Sequence, residues 1–166
     1  RRNFPLTCEI LDKVSSLSFA GFSVLMPNST ISPHYGDTNG IIRCHLGLVI
    51  PEPYPICGIK VANSERGWNE GEFTVFTEAH LHTTWNKSSK KRYILVLDLI
   101  HPDYIDRKLE ICAKVLSAQT YNFFESRIKI LEKIPFKKLK FIHYPLYLLW
   151  VTYLKLQNYF DKVFKK

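Results

Sequence analysis

Between residues 17 and 100 the apolar runs are short and regularly interrupted, and nothing else in the chain restricts its fold so much. "SFAGFSVLM" (18–26), "IIRCHLGLVI" (41–50), "ICGIKV" (56–61), "EFTVF" (72–76) and "RYILVLDLI" (92–100) are separated by stretches rich in Pro, Gly, Asn and Ser. Short runs bounded by turn residues predict the antiparallel strands of a sandwich or barrel. Prolines in "PEPYP" end the second run, because proline fits a strand poorly. "NSERGWNEG" (63–71) reads as a turn. Two longer intervals, "MPNSTISPHYGDTNG" (26–40) and "TEAHLHTTWNKSSKK" (77–91), read as polar loops. After about residue 104 the pattern changes, and "DRKLEICAKVLSAQTYNFFESRIKILEKI" places apolar residues near helical spacing.

Charge divides the 166 residues at the same place. Residues 1–106 hold ten Lys/Arg against eleven Asp/Glu; residues 107–166 hold thirteen against four, so the net charge of +8 sits in the C-terminal part. A near-neutral β core (1–106) followed by a basic, aromatic helical extension (107–166) is expected. The hydrophobic content of 46% is enough for a real core. Four scattered cysteines (Cys8, Cys44, Cys57, Cys112) form no CxxC pair and read as buried thiols, so nothing calls for an oxidising compartment. With no charged-then-apolar leader at its start, the chain reads as cytoplasmic. The extension contains "FIHYPLYLLWVTYL" between lysines, which is short for a membrane span but suited to contact with a membrane surface through 136–166. No nucleic-acid-binding module is recognisable, and no nucleic-acid partner is expected.

Alternate residues of a strand share a face. In 41–50 one face carries Ile42, Cys44, Leu46, Leu48 and Ile50, and belongs in a core. Arg43 and His45 point to the other. That face is either solvated or lines a lumen, where an arginine must meet a partner such as an anionic ligand. Arg92 opens the last strand and shares its face with Ile94, Val96 and Asp98. Two arginines near one pocket suit a dicarboxylate. His34, His45, His80 and His82 are imidazoles of the kind that bind iron, zinc, copper or nickel. The carboxylate that completes a two-histidine, one-carboxylate triad is missing, because Tyr35 and Gly36 follow His34.

Five pieces, P-H-x-G-x-T-N (33–39), R-x-H-L-G-L-V-I-P (43–51), W-x-E-G (68–71), F-x(5)-H-x-x-W (76–85) and R-x(5)-D-x-x-H-P (92–102), occur in order. Together they resemble the aspartyl/asparaginyl β-hydroxylase family over roughly residues 22–104. The resemblance implies a mainly β fold, a double-stranded β-helix (jelly-roll, cupin-like) core, here with a helical C-terminal extension. It implies an iron(II)- and 2-oxoglutarate-dependent dioxygenase that uses O2 to hydroxylate the β-carbon of Asp or Asn in a peptide, protein or amino-acid substrate, with 2-oxoglutarate converted to succinate. His34 and His82 then match the iron ligands, and the catalytic residues with them. Arg43 and His45 match residues on one carboxylate end of 2-oxoglutarate, and Ser23 and Arg92 those on the other. Gly36 matches the family's own glycine at the position of the usual carboxylate. Thr77-Glu78-Ala79 departs from the family's two acidic residues and serine. The family's catalytic domains begin before the position of Arg1, so the N-terminal part of the core is expected to be truncated. Related enzymes hydroxylate acyl chains of lipid A, and a membrane-associated hydroxylase of that kind is the alternative; a non-catalytic fragment acting as a binding module is another.

Overall fold

The structure is a computed structural model that describes residues 3–129, 131, 134 and 136–164, the side chains of 136–138, 140 and 161–164 excepted. Of the basic extension, the side chains of Lys137, Lys138, Lys140 and Lys162, and the whole of Lys165 and Lys166, therefore lie outside the described residues. The chain forms two compact units, Arg1–Ile105 and Asp106–Lys166.

The first unit holds α1 (Pro5–Leu11) and strands β1 (Leu17–Leu25), β2 (Ser29–His34), β3 (Ile41–Val49), β4 (Cys57–Val61), β5 (Ser64–Arg66), β6 (Phe73–Thr77), β7 (His82–Asn86) and β8 (Arg92–Ile100). They make two four-stranded antiparallel sheets, ordered β1-β8-β3-β6 and β2-β7-β4-β5. This is the jelly-roll order, a double-stranded β-helix. The second unit holds α2 (Lys108–Glu125) and α3 (Phe136–Phe164). Mainly β with a helical C-terminal part is thus the observed class.

Directly opposed residues of an antiparallel pair share a face, so register decides what points inward. Arg43 opposes Asp98 and Phe76, His45 opposes Val96 and Thr74, and Ser23 opposes Ile94. These side chains face the second sheet. The other face carries Ile42, Cys44 and Leu46, which pack with Leu95, Leu97, Leu99, Leu17, Ala20 and Leu11 of α1. Between the sheets, Ile59, Trp68 and Ile94 pack with Ile50, Val61, Phe76 and Val96.

Both stretches read from sequence as polar loops contain a strand, and the two strands pair with each other: β2 lies within 26–40 and β7 within 77–91. The stretch 63–71, read as a turn, likewise holds β5. The physical reason is visible in their composition. β7 turns His82, Thr84 and Asn86 inward, so its buried face is polar and shows no apolar alternation. β2 is an edge strand, where Pro33 is tolerated because an edge position needs no inner donor. Asn86 is fully buried and ties the strand ends together. Its Nδ2 donates to the carbonyls of Leu25, Met26 and Lys90 at 3.1, 3.1 and 2.8 Å, and its Oδ1 accepts from Ser88 Oγ at 2.7 Å and from Cys57 Sγ at 3.2 Å. That network sets the start of β8, where Arg92 stands. All four cysteines are free, Cys44 and Cys57 buried, Cys8 and Cys112 half-buried.

In the second unit, Ala113, Ser117 and Tyr121 lie one turn apart on α2 and are buried. Trp150 Nε1 of α3 donates to Thr120 Oγ1 at 3.0 Å, and the His143 ring meets that of Tyr121 at 4.8 Å.

Candidate functional site

A cavity of about 120 Å³ opens between the two sheets. Its walls include Ser23, His34, Arg43, His45, His82 and Arg92, the six residues for which the family resemblance implies a ligand-binding role, together with Phe76 and Thr84. Three strands of one sheet, β1, β3 and β8, present Ser23, Arg43, His45 and Arg92. β2 and β7 of the other present the two remaining histidines.

His34 and His82 are register partners across β2 and β7, with ring centroids 4.2 Å apart. In each ring Nδ1 lies 2.8 Å from a backbone carbonyl two residues earlier, Ser32 O for His34 and His80 O for His82. A carbonyl can only accept, so each Nδ1 carries a proton, and in the neutral ring it is Nε2 that keeps the lone pair. Such a carbonyl anchor orients an imidazole that ligates a metal through its other nitrogen. Burial lowers the pKa of His82, and nearby His34 and Arg43 act in the same direction, against the hydrogen bond to His80. The neutral, ligating form is favoured. His80 is exposed.

The two arginines differ sharply. Arg43 donates from Nε and Nη2 to both oxygens of Asp98 at 2.7 Å, and Nη2 also lies 2.6 Å from Glu78 Oε2. Burial alone would lower its pKa, yet Asp98 and Glu78 leave it raised. Its charge is therefore already answered within the protein, by carboxylates that the sequence did not mark as its partners. Burial in turn raises the pKa of Glu78, with Arg43 opposing.

Arg92 is 1% exposed and has no carboxylate among the described residues. Its Nη2 reaches Ser23 Oγ at 3.5 Å, and its guanidinium carbon lies 4.8 Å from the centre of the Trp68 ring. Its Nε and Nη1 have no hydrogen-bond partner among the described residues; neither do His45 Nδ1, Trp68 Nε1 and Thr84 Oγ1. Burial pulls the Arg92 pKa down to about 10. It pulls that of His45 down to about 3, helped by Arg92 and Arg43. An unpaired buried guanidinium is costly unless an anion meets it. The wall carrying Arg92 and Ser23 thus holds a buried positive charge that no carboxylate among the described residues answers.

At position 36 a longer side chain is excluded by space as well as absent from the sequence. A Cβ built there would lie 2.5 Å from both Cγ and Cδ of Glu78. The Glu78 side chain fills the place that a side chain at position 36 would need. Among the described residues no group of three or more His, Cys, Asp or Glu is arranged to hold a metal ion. What the site offers is two imidazole nitrogens, a donor pair that iron accepts, beside a wall with unanswered positive charge. Both features fit a metal and a dicarboxylate co-substrate.

A larger cavity, about 440 Å³, is lined by Pro53, Tyr54, Arg66, Trp68 and Thr74 among others. It contains none of the six residues and no histidine.

The family model for aspartyl/asparaginyl β-hydroxylase matches residues 1–102. The chain is 37% identical over 98 residues to an ornithine lipid ester-linked acyl 2-hydroxylase of Rhizobium tropici, covering 59% of this chain and 35% of that protein. It is 36% identical over 104 residues to the aspartyl/asparaginyl β-hydroxylase of Mus musculus, covering 60% of this chain and 14% of that protein. The chain thus spans a minor part of either relative. Among solved structures, a cupin 2 conserved barrel domain protein of Salinispora arenicola aligns with a TM-score of 0.40 at 10% identity, over 54% of this chain and 67% of that one. Residues 1–102 carry the match, and on that ground the chain belongs to the aspartyl/asparaginyl β-hydroxylase family.

Proposed function

We propose that the chain carries an iron(II)- and 2-oxoglutarate-dependent dioxygenase site that hydroxylates the β-carbon of Asp or Asn in a peptide or protein. The observation that carries this reading is the placing of two Nε2 lone pairs, His34 and His82, in the same small cavity as the unpaired, buried Arg92. His34 and His82 would hold the iron. Arg92 and Ser23 would hold the distal carboxylate of 2-oxoglutarate; His45 and Arg43 would face its other end. Iron(II), with 2-oxoglutarate and O2, supplies the oxidising power for attack on an unactivated carbon.

The chain's own residues do the positioning. Ser32 O and His80 O hold the two imidazoles in one tautomer. His45 stays neutral at physiological pH, so it can donate one hydrogen bond without adding charge beside Arg92. Arg43 keeps Nε and Nη2 on Asp98 and Glu78, which fix its guanidinium in the cavity wall. Phe76, Ile31 and Val96 line the remaining wall and exclude water from the ligand.

The second reading is hydroxylation of a lipid acyl chain, favoured by the 37% match to the Rhizobium acyl 2-hydroxylase. One experiment serves both. The protein is incubated with iron(II), 2-oxoglutarate and air, and succinate is followed by NMR beside a His82→Ala control. Succinate that requires both iron and His82 supports the site, and peptides are then screened against acyl lipids. Absence of succinate, together with no 2-oxoglutarate binding in an anaerobic titration of the iron form, sinks the enzyme reading in favour of a binding module.

A further inference from the structure

Apolar side chains surround α3 on both sides, and only one side is packed. Trp150 and His143 meet α2, and Leu139, Leu146 and Leu154 lie half-buried on that same side. The opposite side is exposed: Leu149 is 67% exposed, Tyr159 62% and Leu156 52%, with Leu148 beside them. At the helical rotation per residue these four positions fall within a sector about 100° wide. Tyr144 and Lys155 border it on one edge, Tyr153 and Phe160 on the other. An exposed apolar stripe of this length marks an interaction surface.

We propose that this face of α3 lies on the surface of an anionic lipid bilayer. Charge selects the occupant. Residues 107–166 hold thirteen Lys/Arg against four Asp/Glu, so a second copy of the same segment would meet it with like charge, whereas anionic headgroups attract it. Chemistry agrees: tyrosines at the stripe's edges present an apolar ring with a polar tip, the form that settles at a membrane–water boundary. The helix lies flat and does not cross, since no described helix is long and apolar enough to span a membrane. A nucleic acid would need positive charge along the exposed stripe itself, where Leu148, Leu149, Thr152 and Leu156 carry none.

The test uses the full chain and neither iron nor co-substrate, so its outcome is independent of the dioxygenase reading. Flotation is measured with vesicles of phosphatidylcholine alone and of phosphatidylcholine mixed with phosphatidylglycerol. Flotation with the anionic vesicles only is expected. The double variant Leu148→Glu, Leu149→Glu should partition at least about tenfold more weakly, and Lys155→Gln about fivefold more weakly. Far-UV circular dichroism establishes that the variants keep their helices. Flotation with neither vesicle overturns the proposal, and so does undiminished flotation of a folded double variant. A dimer in sedimentation that the double variant abolishes, with no flotation, assigns the face to a second copy and equally overturns it.

Discussion

Arg43 and Asp98, 55 residues apart, are register partners on β3 and β8, and their side chains close a two-pronged ion pair at 2.7 Å on both prongs. Glu78 adds a second carboxylate to the same guanidinium. The Arg43 side chain keeps 24% exposure and that of Asp98 8%, so the pair sits between a surface and a buried bridge. Asp98→Asn should therefore lower stability by about 2 kcal/mol, below the loss seen for fully buried pairs. Urea unfolding of the variant beside the parent measures it. A change under about 0.5 kcal/mol would mean the pair contributes no more than a surface contact.

Arg92 should behave in the opposite way. Its guanidinium is buried, with Nε and Nη1 unpaired among the described residues, so Arg92→Met removes an unanswered charge and keeps most of the volume. The expected outcome is a Tm equal to or above that of the parent, with 2-oxoglutarate binding weakened by roughly a hundredfold or more. Differential scanning calorimetry and an anaerobic absorbance titration read the two quantities separately. Wild-type affinity in Arg92→Met would remove Arg92 from the ligand site.

Gly36→Asp places a carboxylate two residues after His34. Its Cβ would meet Glu78 Cγ and Cδ at 2.5 Å, so Glu78 must withdraw from Arg43. The expected loss is about 1–3 kcal/mol, with no gain in metal affinity. Metal titration alongside thermal unfolding is the check, and tighter metal binding at unchanged Tm would contradict the crowding at Glu78.

His45 makes stability depend on pH. Its folded-state pKa lies near 3 against an ordinary 6.5, chiefly through burial. Between those values the unfolded chain binds a proton that the folded one refuses, so stability falls as pH falls. The contribution is fully present above pH 6.5 and is lost progressively toward pH 3. From pH 7 to pH 5 the His45 share amounts to about 2 kcal/mol. Urea midpoints for the parent and for His45→Leu at both pH values isolate it; parallel losses in the two proteins would show that His45 is not the cause.

The sequence by itself determined the faces. Alternation in 41–50 put Arg43 and His45 opposite Ile42, Cys44 and Leu46, and alternation from Arg92 put Val96 and Asp98 on its side; both arrangements hold in the sheets. It determined the change from strand to helix after residue 104, because period 2 and period 3.6 are local signals. Tertiary structure alone decided three things. It made β2 and β7 strands and opposed His34 to His82, since β7 buries polar residues and β2 buries none, so neither shows apolar alternation in the sequence. It gave Arg43 to Asp98 and Glu78 and left Arg92 without a carboxylate among the described residues, although the two arginines look alike in sequence. And it left one side of α3 exposed while packing the other. Periodicity tells each residue which way to face; which partner waits there depends on contacts across dozens of residues, and those form only when the sheets close.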